Sequence, residues 1–372
     1  MSLQEMILRG GTVVSPYGVQ EADVWIVDGK ITRVAKDTLL KTTYGHSPIE
    51  VDVSGMYLLP GFIAMPHTPF YRIRDRAVYL ESMHSLIKMG CTSLVDTFYP
   101  DAWMNLAQVR YQQTAHFNSL IDYVWHVGLD ISQLKPKEVS MWQKYGYTAL
   151  QITGRAPEEI SSVDWETISQ LHTSNKSILH LQLTTGSVTK DQKERLLKSW
   201  LEATKHWKLR TVITQSTTEL DMEGYDPYYH LFRLKREWTD RGMRLLHRNW
   251  FQSLPFLAPL HDIQIDLRKR WWYHEELLCL LVRLASTNVA KAIGLYPKKG
   301  SLLPGTDADI VFLKKENWLT KSDVSTILNF SETHLPTSVM SNGKWIYRDS
   351  RFCSTVGMGR WLFDTKPYTY VI

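Results

Sequence analysis

From Pro60 to about Ile293 the chain alternates short apolar runs with longer amphipathic stretches. The runs predict strands at Gly61–Met65, Gly90–Asp96, Ile121–Val127, Gly146–Thr153, Ser177–Leu183, Leu209–Thr214 and Met243–His247. Between them the pattern predicts helices at about Asp75–Met89, Ala102–Phe117, near Pro136–Lys144, after Asp164, at Thr189–Trp207 and at Tyr228–Thr239. Asp164 and Thr189 have the side chains that cap a helix N-terminus. Strands separated by helix-length connections cannot be hairpins. They must return to the same end of the sheet, which makes the sheet parallel and buries both its faces.

The flanks read differently. Residues 6–59 alternate apolar runs with tight turns, and Val24–Val27 is followed by Asp28-Gly29, a hairpin signal. Asn342-Gly343 gives the same signal near the other end. A small antiparallel β unit is expected at each flank.

With 372 residues, of which 44% are hydrophobic and 22% charged, the chain can bury a large core. A net charge of +5 without long blocks of one sign is no nucleic-acid footprint. Arg268 to Trp272 is read as a solvated helix end with two buried tryptophans. Met1 to Glu5 lacks the flank and apolar core of a signal peptide, and the run Leu277–Val282 is too short to span a bilayer. Cys91, Cys279 and Cys353 are scattered and odd in number, which points to a reduced, cytoplasmic protein. No glycine-rich phosphate loop or Gly-x-Ser-x-Gly elbow is present.

Four stretches carry a family resemblance. They are Leu58 to Thr68 with Pro60-Gly61-Phe62-Ile63, Gly90 to Asp96, Leu281 to Gly300 continuing into Gly305-Thr306-Asp307-Ala308-Asp309-Ile310-Val311, and the hairpin Val339 to Tyr347. Together they resemble the amidohydrolase superfamily, in the branch of dihydroorotases, allantoinases and hydantoinases, from about Ile7 to Leu362. The resemblance implies an α/β fold with a TIM-like (β/α) barrel over 60–299. A small β-sandwich-like unit would be built from both termini, 1–59 and 300–372, the latter with a C-terminal tail.

The family hydrolyses cyclic amides and ureides with one or two zinc ions, held at the C-terminal ends of the barrel strands. The positions that match those ligands are altered here. The two strand-one histidines fall on Pro66 and Thr68, with His67 between them on the other side of the strand. The carbamylated lysine of strand four falls on Gln151, and the strand-six histidine on Thr214. Only His180 of strand five is kept. The substrate arginine and asparagine of dihydroorotases would fall on Phe70 and Tyr99. After Phe256–His261 the chain runs straight toward the closing helix, so strand eight and its aspartate are read as missing. An incomplete barrel would expose edges on strands one and seven, with the segment around Trp271 and the tail from Trp361 to Ile372 as candidate covers.

The resemblance therefore implies a scaffold that has lost its metal, with His67, Gln151, His180 and Thr214 lining the old pocket. A silent homologue would act as a partner or regulatory subunit, as a homo-oligomer or with an active amidohydrolase-like protein, and with neither nucleic acid nor membrane. Two alternatives stay open. Asp96, His126 and His247 could join His180 in a rebuilt hydrolytic site, or the pocket could bind a small molecule without chemistry.

Overall fold

A computed structural model describes residues 5–36, 47–66, 68–101, 104–147, 149–175, 178–183, 189–214, 226, 229–233, 256–257, 274–316 and 336–363. Strands β1 (Glu5–Ser15), β2 (Gly18–Val27) and β3 (Lys30–Ala35) form an antiparallel meander. Asp28 and Gly29 both have positive φ, as the tight hairpin between β2 and β3 requires. β4 (Ile49–Asp52) and β5 (Met56–Pro60) lie parallel to β1. The other end of the chain completes this sheet. β14 (Ile310–Lys314) pairs with β5, and β15 (Ser338–Ser341), β16 (Lys344–Arg348) and β17 (Arg351–Phe352) follow in antiparallel order. Hydrogen bonds thus join both ends of the chain in one nine-stranded sheet. One of its faces is a core of Leu8, Val24, Ile26, Leu58, Ile310, Phe312 and Met340.

The second sheet is parallel throughout. It runs in sequence order through β6 (Phe62–Ala64), β7 (Cys91–Phe98), β8 (Asp122–Asp130), β9 (Ala149–Gly154), β10 (Ile178–Leu183), β11 (Thr211–Thr214), β12 (His230–Arg233) and β13 (Phe256–Leu257). Two expectations are corrected here. Tyr228–Thr239 was expected to be helical, but His230–Arg233 is a strand paired to β11. Four buried residues between two other strands gain more from ladder hydrogen bonds than from one isolated helical turn. The sheet consequently has eight strands rather than seven, and Phe256–Leu257 takes the eighth place beside β12. The run Met243–His247, expected as strand seven, and the segment around Trp271 lie outside the described residues.

Alternation sorts the side chains of each strand. Ile63, Val95, Val124, Ala149, Val212 and Leu231 face inward from six strands and form one cluster with Val289, Ala290 and Ile293 of the closing helix. Their neighbours Leu94, Trp125, Leu150, Leu181, Ile213 and Phe232 face outward to the helical layer. Among the described residues β6 and β13 do not pair with each other. The π-helical turn Arg283–Thr287 packs against both, and Ser286 Oγ donates to the Gly61 carbonyl at 2.6 Å. Gly61 is required by close approach, since a Cβ there would sit 2.1 Å from Thr92 Oγ1.

The start of the tail, Trp361–Phe363, is the only part of it among the described residues. Tyr123 N donates to the Arg360 carbonyl at 2.9 Å, and Leu362 N to the Tyr123 carbonyl at 2.8 Å. This places Leu362 in the inner cluster at the N-terminal end of β8, far from the ligand-bearing end. Residues 364–372 lie outside the described residues. The same end holds a buried charge network. Lys299 Nζ lies 2.7 Å from Asp122, 2.6 Å from Asp309 and 3.1 Å from Asp307. Arg360 reaches Asp122 and Asp307 at 2.9 and 2.8 Å. The stretch with the most specific resemblance, Leu281 to Val311, therefore contributes Lys299, Asp307 and Asp309 to the joint between barrel and β sheet, away from the barrel mouth.

Candidate functional site

The C-terminal ends of the barrel strands converge on a small cavity of about 20 Å³. Its walls include Met65 and Pro66 after β6, Thr97 and Tyr99 from β7 and beyond, Gln151, Gln182, Thr214 and Arg233. A volume of that size holds about one water molecule.

Register explains why these side chains meet. Gln151 pairs with His180 across the ladder, Gln182 with Thr214, and Thr214 with Arg233. Inward residues on adjacent parallel strands thus stand side by side. Thr97 Oγ1 donates to Gln151 Oε1 at 3.0 Å, and Gln151 Nε2 donates to Tyr99 Oη at 2.7 Å and to Gln182 Oε1. His180 Nε2 and Thr214 Oγ1 share a hydrogen bond of 2.5 Å. Arg233, buried on β12, reaches across the mouth and donates from Nη2 to the Met65 carbonyl at 2.5 Å.

Electrostatics follow burial. His126 is enclosed on the inward side of β8, and neither of its ring nitrogens has a hydrogen-bond partner among the described residues. Burial, reinforced by the Arg233 charge, pushes its pKa down to about 3, so the ring is neutral. His180 is pushed below the usual histidine range by burial first, then by Arg233 and His126. The interior of the mouth therefore holds two neutral imidazoles beside a guanidinium.

The residues singled out in the sequence separate as follows. Gln151 and Thr214 line the cavity, and His180 stands between them on the ladder and is bonded to Thr214. His126 faces the same interior. Asp96 does not, which corrects its grouping with His126. It sits on the outward side of β7, where it accepts from Phe70 N at 3.1 Å and Tyr71 N at 2.7 Å and lies 3.1 Å from His116 Nε2. Tyr99 lines the cavity, whereas Phe70 is buried in the outer core. His67 and His247 lie outside the described residues. Arg233 escaped sequence reasoning because its strand was read as a helix. Nothing in the four residues His230–Arg233 themselves signals a strand, since they are too few to show a period.

The described lining of the cavity has no set of ligands for a catalytic metal. Among the described residues no three His, Cys, Asp or Glu side chains come together to hold one. Gln151, Gln182 and Thr214 bring amide and hydroxyl groups to the cavity, beside the Arg233 guanidinium.

The amidohydrolase family model matches residues 243–346. The chain is 26% identical over 136 residues to a D-hydantoinase of Geobacillus stearothermophilus, a match covering 34% of this chain and 29% of that protein. It is 21% identical to a D-hydantoinase of Ralstonia pickettii over 460 positions, covering 97% of this chain and 99% of the relative. Those positions outnumber the 372 residues here, so the relative has segments without a counterpart in this chain. Among solved structures, D-hydantoinase (dihydropyrimidinase) from Thermus sp. superposes with a TM-score of 0.70 over 98% of this chain and all of that one, at 14% identity. That likeness shows the fold.

Proposed function

Because the chain belongs to the amidohydrolase superfamily, in its hydantoinase branch, we propose that it is a hydrolytically silent member that serves as a partner or regulatory subunit. One observation carries the reading. Among the described residues, the C-terminal ends of the strands leave a cavity of only about 20 Å³, with Arg233 bonded to the Met65 carbonyl at its rim. Hydrolysis of a ureide ring requires an activated water and a polarised carbonyl. Neutral His180 bonded to Thr214, and Gln151 bonded to Tyr99 and Gln182, supply neither.

A scaffold kept intact without its chemistry is useful for what its outer surface binds. The partner in this reading is a second copy of the chain or an active hydantoinase-like protein, whose related surfaces would match its own. Among the described residues no helix is long and apolar enough to cross a membrane.

Two measurements on the purified full chain test this. Elemental analysis should find no stoichiometric zinc, and hydantoin, dihydrouracil, allantoin and dihydroorotate should not be turned over. Mixing with an active hydantoinase of the same source should then give a larger complex by light scattering and alter that enzyme's turnover. Bound zinc with turnover would sink the silent reading, and a chain that stays alone would sink the partner role.

A further inference from the structure

We propose that a series of hydrogen-bonded links between strand ends, the last from Arg233 to the Met65 carbonyl, replaces a metal as the cross-link of the barrel mouth. The inference deepens the reading of a silent site and rests on it.

Metal ligands drawn from several strands tie those strands together at one end. Here the matching positions are tied differently. Gln151 on β9 accepts from Thr97 on β7 and donates to Gln182 on β10. His180 on β10 is joined to Thr214 on β11. Arg233 on β12 is joined to the end of strand one at Met65, across 168 residues of chain. That last bond bridges the gap that β6 and β13 leave unpaired among the described residues.

The strand left out of the series, β8, has been fitted to it. Gly128 faces the mouth, and a Cβ at that position would lie 2.2 Å from Tyr99 Cε1. The missing side chain lets the Tyr99 ring lie over β8 and receive the Gln151 amide beyond it at 2.7 Å. A set of separately satisfied polar residues would not need that glycine. The guanidinium also supplies a fixed positive charge, which opposes entry of a divalent cation into the same low-dielectric space.

Melting of the full chain tests the proposal. The wild type should melt at the same temperature with EDTA, with zinc chloride or with neither. Arg233→Ala should lower Tm by roughly 3–6 °C, the size expected for losing a buried charge-assisted bond in a large domain. Millimolar guanidinium chloride should recover part of that loss in Arg233→Ala, while sodium chloride should not, and neither should raise the wild-type Tm. Gly128→Ala should also melt lower. Should Arg233→Ala fail to fold, Arg233→Lys decides, since it keeps the charge and loses the reach to Met65. A lower Tm supports the clamp, and an unchanged one overturns it. Melting of Arg233→Ala with the wild type, failure of guanidinium to rescue it, or an EDTA-sensitive wild type would each overturn it. A chain without turnover that melts alike with and without Arg233 would keep the silent reading and lose only this one.

Discussion

Lys299 Nζ donates to Asp122 Oδ2 at 2.7 Å, joining residues 177 positions apart. Lys299 leaves the closing segment, and Asp122 opens β8 at the floor of the barrel. Burial opposes the lysine's charge, but Asp309, Asp122 and Asp307 together hold its pKa above the ordinary range. The bond fastens the barrel to the sheet made from both chain ends.

Lys299→Met should therefore be severely destabilising, by about 3–5 kcal/mol, because it leaves three buried carboxylates, only Asp122 and Asp307 of which are paired with Arg360. Urea unfolding checks this through the transition midpoint. Exchanging Lys299 for methionine without loss would show that the network is dispensable.

The same network sets an acid limit. Burial would raise the Asp122 pKa, but Lys299 and Arg360 overcome it and hold it at about 2, below its ordinary value of 3.8. A depressed carboxylate contributes stability above its unfolded pKa and loses it as pH falls toward the folded one. The stability gap between wild type and Asp122→Asn should thus be full near neutrality and shrink between about pH 4 and about pH 2. Unfolding curves of both proteins at neutral pH and at about pH 3 measure the gap. A gap that widens in acid would contradict the assignment.

Asp96 fastens the loop after strand one to β7 through the Phe70 and Tyr71 amides. It also braces His116, whose Nδ1 lies 2.8 Å from Tyr79 Oη. Asp96→Ala should cost about 3–5 kcal/mol, since it strips partners from buried donors. Amide exchange at Phe70 and Tyr71 should speed up far more than exchange in β10.

Restoring one family ligand should harm this protein. Gln151→Lys removes the acceptor of Thr97 and puts a second cation near Arg233. A loss of about 2–3 kcal/mol is expected, without gain of zinc or of hydantoin turnover. Denaturant midpoints and elemental analysis measure both outcomes.

Much of the fold was legible from residue 7 to residue 362 because hydrophobic period and turn chemistry are local. Asp28-Gly29 and Asn342-Gly343 make the hairpins their sequence requires, with all four residues at positive φ. Pro60-Gly61 marks the entry to the barrel, and the Thr92 side chain shows why no larger residue could stand at 61. That Pro66, Thr68, Gln151 and Thr214 carry neither an imidazole nor an amine was also legible, since residue type needs no coordinates.

Other features depend on how distant residues meet. Four residues, His230–Arg233, are too few to show a period, and only pairing with β11 made them a strand. Asp96 and His126 look equally suited to a polar mouth, but the pleat sends one outward and the other inward. The bond from Arg233 to Met65 spans 168 residues, and the one from Lys299 to Asp122 spans 177. The sequence by itself determined the alternating scaffold, because that is written in residue type and spacing. Tertiary structure alone decided which side chains meet at the strand ends, because that depends on strand register, which brings side chains together regardless of their distance along the chain.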